Sequence, residues 1–295
     1  QENPFFWTPT ATNTAGDLRV GSGSEIVTAV KTRREIIILT DTSVHSMQFI
    51  GAPFTFGINQ LASNITVRGF NTAVAVGDAI FWMGYDRFYI YDGRVQVIPC
   101  SVRDHVFQDF NETQSDKVYA GVNSAFGEVF WFYPSQTNAV ANGGTGENDK
   151  YVVYNYDQKI WYVGSLARSS WIDRGVYQYP MATDSNLVYN HEKGNDNDGT
   201  AFTSFIESSP IDVQDGDQFV FLRRMIPDIS FDNSDSNISN DNKQAVLSLK
   251  AQRSPNGGFV KTSTNTVTST TELNHLRLRG RSFGLRVEST TQGVN

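Results

Sequence analysis

One cysteine, Cys100, stands in 295 residues. A lone thiol makes no intrachain disulfide and no cysteine-based zinc site, which excludes a disulfide-framed secreted domain. Charge is also scarce, at 19% of residues, against roughly 25% in a typical globular domain. Missing too is any apolar run near the roughly 18 residues of a transmembrane helix, or a basic-then-apolar leader at the start. The chain is therefore expected to be soluble. Helical patterning is nearly absent, since no window of a dozen residues places apolar side chains three and four apart behind a cap. The first residue is Gln1, and residues 1–14 read as the middle of something, so the chain is expected to be a piece of a longer protein.

What is abundant is aromatic: 20 Phe, 12 Tyr and 5 Trp. Such a content, with little charge, argues against disorder. Acidic residues number 31 against 24 basic ones, a net charge of −7. A broad surface that grips nucleic acid is not expected from that balance. Short runs rich in β-branched and aromatic residues, bounded by Gly, Asn, Asp or Pro, predict strands over 35–40, 79–83, 129–133, 151–156, 219–222, 245–250 and 283–288. Many short strands with polar turns mean an all-β sandwich, barrel or propeller.

Repetition chooses among these. Sliding the chain along itself by about 44 positions lays Ala29, Val30, Ile36 and Ile38 on Ala73, Val74, Ile80 and Trp82, and Val44 on Phe88. A third copy matches Gly77-Asp78 and Phe81-Trp82 to Gly127-Glu128 and Phe130-Trp131. Its turn matches Tyr91-Asp92-Gly93-Arg94-Val95 to Tyr156-Asp157-Gln158-Lys159-Ile160. A fourth, truncated copy appears where VYNYD at 153–157 recurs as VYNHE at 188–192. Units of this length bury too little apolar surface alone and must pack around an axis. The reading is a partial β-propeller of about three and a half blades over residues 1–200, short of the roughly four to eight of a closed one. Trp82, Trp131, Tyr91 and Tyr156 are its expected packing positions. Residues 201–295 carry further strands, at 201–206, 218–223, 226–231, 245–251 and 275–288, without the Tyr-Asp turn. They either close the propeller or form an appended β-domain.

Catalytic motifs do not emerge. No Gly-x-Ser-x-Gly occurs, and Gly21-Ser22-Gly23-Ser24 reads as a flexible turn. Neither a phosphate-cradling nor a dinucleotide-binding glycine pattern is present. His45, His105, His191 and His275 lie far apart with no ligand spacing. The stretch 195–199, NDNDG, resembles a calcium loop until its register is counted: Gly194 and Phe205 fall where the first ligand and closing Glu belong. Ser170-Trp171-Ile172-Asp173-Arg174-Gly175 lacks the spacing and trailing Trp of a sialidase Asp-box. No cofactor, metal or catalytic residue is implied. Exposed aromatics could alternatively stack on sugars, as in a lectin-like propeller.

Certain segments taken in order resemble one family: FWMG at 81–84, FYIYDG at 88–93, PCSVRD at 99–104, FQDFN at 107–111 and AGVNS at 120–124, then EVFWFYP at 128–134, ARSSWIDRG at 167–175, IESSPID at 206–212 and RGRSFGLRV at 279–287. They are similar to the tail nozzle proteins of short-tailed bacteriophages, also called tail tubular or tail hub proteins. The resemblance covers most of residues 40–288. It implies a β-propeller-containing structural subunit, not an enzyme. Such subunits form a homo-hexameric ring below the portal and adaptor rings, extend the channel for double-stranded DNA, hold the genome until ejection, and carry tail fibres or spikes. It further implies assembly in the host cytoplasm and residence in the virion tail. Family members carry more propeller before the point where this chain starts.

Mild acidity suits a surface past which DNA slides, because each neutralised phosphate adds salt-dependent affinity. Loops at 134–150 (Asn142, Gly143, Gly144) and 232–243 (Asp235, Asn237) are long enough to project into a lumen. Arg168, Trp171, Asp173 and Arg174 are rich in hot-spot residue types and form a candidate subunit interface. The alternative is an internal turn pinned by an Arg–Asp pair.

Overall fold

The aromatic and β-branched runs pair into short antiparallel meanders. The computed structural model describes residues 5, 7–10, 13, 15–51, 54–194, 202–213, 215–231, 243–254 and 257–289. Among these residues the chain is all-β apart from one short helix and brief 3-10 turns, and it divides into two compact units, Gln1–Glu192 and Lys193–Asn295.

The first unit contains four sheets in chain order. Sheet A is β1 (Ile26–Lys31), β2 (Ile36–Thr40), β3 (Ser43–Gly51) and β4 (Thr55–Ser63). Sheet B is β5 (Ala73–Val76), β6 (Ala79–Met83), β7 (Phe88–Tyr91) and β8 (Val95–Ile98). After helix α1 (Arg103–Gln108) comes sheet C: β9 (Tyr119–Asn123), β10 (Glu128–Tyr133), β11 (Lys150–Asn155) and β12 (Ile160–Ser165). Sheet D has three strands, β13 (Ser170–Ile172), β14 (Met181–Asp184) and β15 (Leu187–Asn190). Each is a simple up-and-down meander. The helix went unforeseen because its six residues are too few to show a period of 3.6.

Register carries the sequence repeat into three dimensions. Ala29 pairs with Ile38 as Ala73 pairs with Trp82. Likewise Ile38–His45 and Ile36–Met47 in sheet A correspond to Trp82–Tyr89 and Ile80–Tyr91 in sheet B. The slide of about 44 positions thus preserves the ladder as well as the residue types.

Period-two alternation explains why the second strands read as unbroken apolar runs: both of their faces are buried. Ile80 and Trp82 of β6 pack with Ile37, Leu39 and Val44 of sheet A. Phe81 and Met83, on the opposite face, pack with Val129, Trp131 and Tyr133 of sheet C. Phe130 and Phe132 then meet Trp171 and Ala182 of sheet D. The first strands complete the pattern, with β1 beside β5, β5 beside β9, and β9 beside β13.

In the second unit, β16 (Ser204–Glu207), β17 (Ile211–Asp212), β19 (Gln244–Gln252), β20 (Phe259–Thr268) and β22 (Ser282–Ser289) form one sheet. A separate pair joins β18 (Val220–Met225) to β21 (Asn274–Gly280). Its core is small: Ala251, Leu276, Leu278 and Phe283, with aliphatic neighbours such as Val220 and Leu222. The strand expected over 226–231 does not form, since Pro227 supplies no ladder donor. The run expected over 275–288 is two strands broken at Arg281.

Candidate functional surface

The four first strands line one open groove of about 690 Å³. Its lining mixes small residues such as Ala29, Ala73, Ala75 and Gly121 with larger apolar ones, Phe70, Tyr119, Trp171 and Ile172. Close packing beside it depends on Gly121, where a Cβ would lie 2.5 Å from the Trp171 ring. Among the described residues, Lys31 and Asp173 are its charged lining residues. A surface of this kind offers no converging acid, base and nucleophile.

Three of the four repeat positions are buried, and Tyr156 is half-buried. Trp82 and Trp131 are fully buried and occupy matching places, each facing the preceding sheet. Their indole N–H groups donate to the carbonyls of Thr66 at 3.3 Å and Thr72 at 2.9 Å. Tyr91 is buried between sheets A and B, and its hydroxyl donates to Glu35 Oε1 at 2.7 Å. Burial, then the Glu35 hydrogen bond and charge, push the Tyr91 phenol up to about 12. Burial alone would raise Glu35, but donors from Ser46, Gln48 and Tyr91, with the Arg34 charge, hold it below the usual carboxylate range. In the ladder the residue standing where Tyr91 stands is Tyr154, paired with Val129 as Tyr91 is with Ile80. Tyr156 follows at the turn, and its ring stacks on Phe81.

Of the interface cluster, Arg168 and Trp171 are both 7% exposed. Trp171 stacks on Phe130 with centroids 5.2 Å apart and donates through Nε1 to Val122 O at 2.8 Å. Arg168 donates from Nε to His191 Nε2 at 2.9 Å and lies 4.3 Å over the Tyr189 ring. Asp173 accepts from the backbone N–H groups of Ser124 and Arg174. The cluster is thus mostly internal, yet its buried arginine donates to His191 and to the Ala167 carbonyl, not to Asp173. Arg174 is exposed.

The loop holding Asn142, Gly143 and Gly144 is folded down by its own hydrogen bonds. Gly144 N–H donates to Ala139 O and Gly146 N–H to Asn138 O. Lys150 pairs with Asp109 and Lys117 with Glu147, so its base is fixed to the segment after α1. The loop does not line the groove of the first strands. Asp235 and Asn237 lie outside the described residues.

A second cavity, of about 330 Å³, was not foreseen. Phe126, Tyr151, Tyr162 and Trp171 wall it, and Glu128 and Glu192 supply carboxylates. Asn123 Nδ2 reaches both, at 3.4 and 3.1 Å, while the Tyr162 hydroxyl donates to Glu128. Burial, then the nearby Glu192 charge, raise the Glu128 carboxyl, against the Tyr162 and Asn123 hydrogen bonds. Its acids come from β10 and from the end of the chain's fourth repeat, so no linear spacing announces them. Aromatic walls with carboxylate and amide groups can hold a polyol by stacking and hydrogen bonding.

Among the described residues no cluster of three or more His, Cys, Asp or Glu could hold a metal ion, and no helix is long and apolar enough to cross a membrane. No protein-family model matches the chain, and no curated protein matches it.

Proposed function

We propose that this chain is a structural subunit of a bacteriophage tail, akin to the nozzle proteins whose ordered segments it resembles. Sheets A to D are then consecutive blades of a partial β-propeller. The observation that carries this reading is the alignment of β1, β5, β9 and β13 around one groove, with ladder register repeating between sheets A and B. Meanders that repeat in this way, first strand inward, are what propeller blades require. The subunit forms a homo-hexameric ring below portal and adaptor proteins, carries fibres or spikes, and lets double-stranded DNA pass without specific binding. A net charge of −7 fits passage rather than grip. Its setting is the virion tail, after assembly in the host cytoplasm, and it performs no catalysis.

Negative-stain imaging of the purified chain tests the ring. Closed six-fold particles are the expected result, and monomers at all concentrations would sink the proposal. Deleting residues 142–144 and measuring premature genome loss from particles tests whether that loop gates the lumen.

The aromatic, carboxylate-bearing cavity favours one second reading, a glycan-binding propeller of the tail. Glycan-array binding that disappears in Phe126→Ala and Glu192→Gln would support it. An array without a hit would remove it.

A further inference from the structure

The β3–β4 hairpin departs from the repeat. In sheet B the chain turns directly after Tyr91, crossing to Val95 through residues 92–94. At the matching position in sheet A, Met47, the chain runs on. Past the Ile36–Met47 pair, the ladder of β3 continues with β4 alone among the described residues, through Gln48–Gly57, Phe49–Phe56 and Gly51–Thr55. Four residues at roughly 3.3 Å each carry the tip about 13 Å beyond the sheet.

That tip is apolar. Phe49 is 70% exposed, Ile50 57%, Phe54 75% and Phe56 41%. The sequence holds no Asp, Glu, Lys or Arg between Asp41 and Arg68, and His45 within that span is buried against Ser22 and Ser43. At the hairpin's base, Gln48 is anchored by donating to Glu35 at 2.8 Å.

Both faces of the tip are apolar. Phe49 and Phe56 pack edge to face at 5.8 Å on one side. Ile50, the neighbour of Phe49 on β3, projects to the other and leans over Gly57. A strand docked on a protein surface needs one apolar face. A tip whose large described side chains are apolar on both faces suits a medium that surrounds it.

Area points the same way. At about 200 Å² per large side chain, these four expose on the order of 500 Å², less than the roughly 800 Å² per partner of a standard protein interface. We propose that the β3–β4 tip inserts into the interfacial layer of a lipid bilayer. The inserted depth is shallow, because the outward edge of β4 carries backbone groups that still need water. About 13 Å of projection is enough to reach the roughly 5–10 Å to which interfacial elements bury. With no charge in the tip, binding does not need anionic lipid and does not weaken with salt. This inference stands on the hairpin alone, whatever the fate of the ring reading.

The test is flotation of the full chain with large unilamellar vesicles of zwitterionic phosphatidylcholine, at low and high salt. Wild type should float at both. Phe54→Asp should lower the partition coefficient at least about tenfold with an unchanged circular dichroism spectrum, whereas Ile172→Asp, exposed elsewhere, should not. A wild-type chain left in the soluble fraction overturns the proposal, as does equal flotation of Phe54→Asp. So does a wild type that ignores vesicles but loses self-association on Phe54→Asp, which would assign the tip to contacts between copies.

Discussion

The two units reach an all-β state by different means. In the first, the aromatics of the middle strands are interior: Trp82, Trp131, Phe88, Phe132 and Tyr133 are fully buried between successive sheets, while those of the β3–β4 tip are exposed. In the second, Phe205, Phe219 and Phe221 are exposed and lie beneath guanidinium groups, Arg286 being 3.8 Å from the Phe205 centroid and Arg279 4.9 Å from that of Phe219. One unit is held by volume filled from both faces of each strand. The other combines a small core of Ala251, Leu276, Leu278 and Phe283 with surface charge. The first should therefore respond to changes of shape and the second to changes of ionic strength.

The sharpest break of that contrast is a matched truncation. Trp131→Ala removes a fully buried ring and its hydrogen bond to Thr72, and should cost about 3–5 kcal/mol. Phe221→Ala, at a ring 5.6 Å from Arg223, should cost less than about 1 kcal/mol. Urea unfolding of both variants measures the difference; similar losses would mean the two units are not distinguished by burial. A smaller shape effect is expected at Gly121. An added Cβ would meet the base of the Trp171 side chain, which is itself pinned by Val122 and Phe130. Gly121→Ala should therefore destabilise by about 1–3 kcal/mol, read as a shift in urea midpoint and a change in tryptophan fluorescence.

How much of this was written in the sequence depends on how local the cause was. Ladder register between sheets A and B was legible because Ala29, Ile36, Ile38 and Val44 each have a counterpart at one constant spacing. The third copy was blurred: its last hairpin has a longer turn, with Asn155 pairing Ile160 where Tyr91 pairs Val95, so Tyr154 rather than Tyr156 takes the Tyr91 place. Arg168 and Trp171 stood out by residue type, but type does not say whether a hot-spot side chain faces a partner or its own chain. Their contacts, His191 and Val122, come from segments distant in sequence. The Glu128–Glu192 cavity was invisible for the same reason. Within the second unit, the small core gave no repeated signal to align.

Protonation offers a third way to separate the units. His191 accepts the Arg168 Nε–H, and burial, then the Arg168 charge, lower the imidazole to about 4. An unfolded histidine titrates near 6.5, so between about 6.5 and about 4 the unfolded chain binds a proton that the folded one refuses. Stability of the first unit should fall across that window as pH drops, by about 1–2 kcal/mol once solvent screening is allowed for. His191→Gln, which keeps an acceptor for Arg168, should flatten the slope in thermal melts; an unchanged slope would assign it to other groups.

The smallest effect expected is in the second unit's charge network, where Glu207 pairs with Lys250 and with Arg286, and Arg286 with Glu288. Hydrogen bonds from Lys250, then from Arg286, hold the Glu207 carboxyl below its usual range. Because the folded value is lowered, its contribution is present above the unfolded carboxylate range and fades as pH falls through the folded one. The pairs are partly exposed, with side chains at 23–30%, so salt near roughly 1 M should screen them. Glu207→Gln should accordingly lower the stability of the second unit slightly at low salt and not at high salt, followed by hydrogen exchange in β19 and β22. Trp131→Ala should show no such dependence. If its effect varied with salt as strongly as that of Glu207→Gln, the division into a volume-held and a charge-held unit would be wrong.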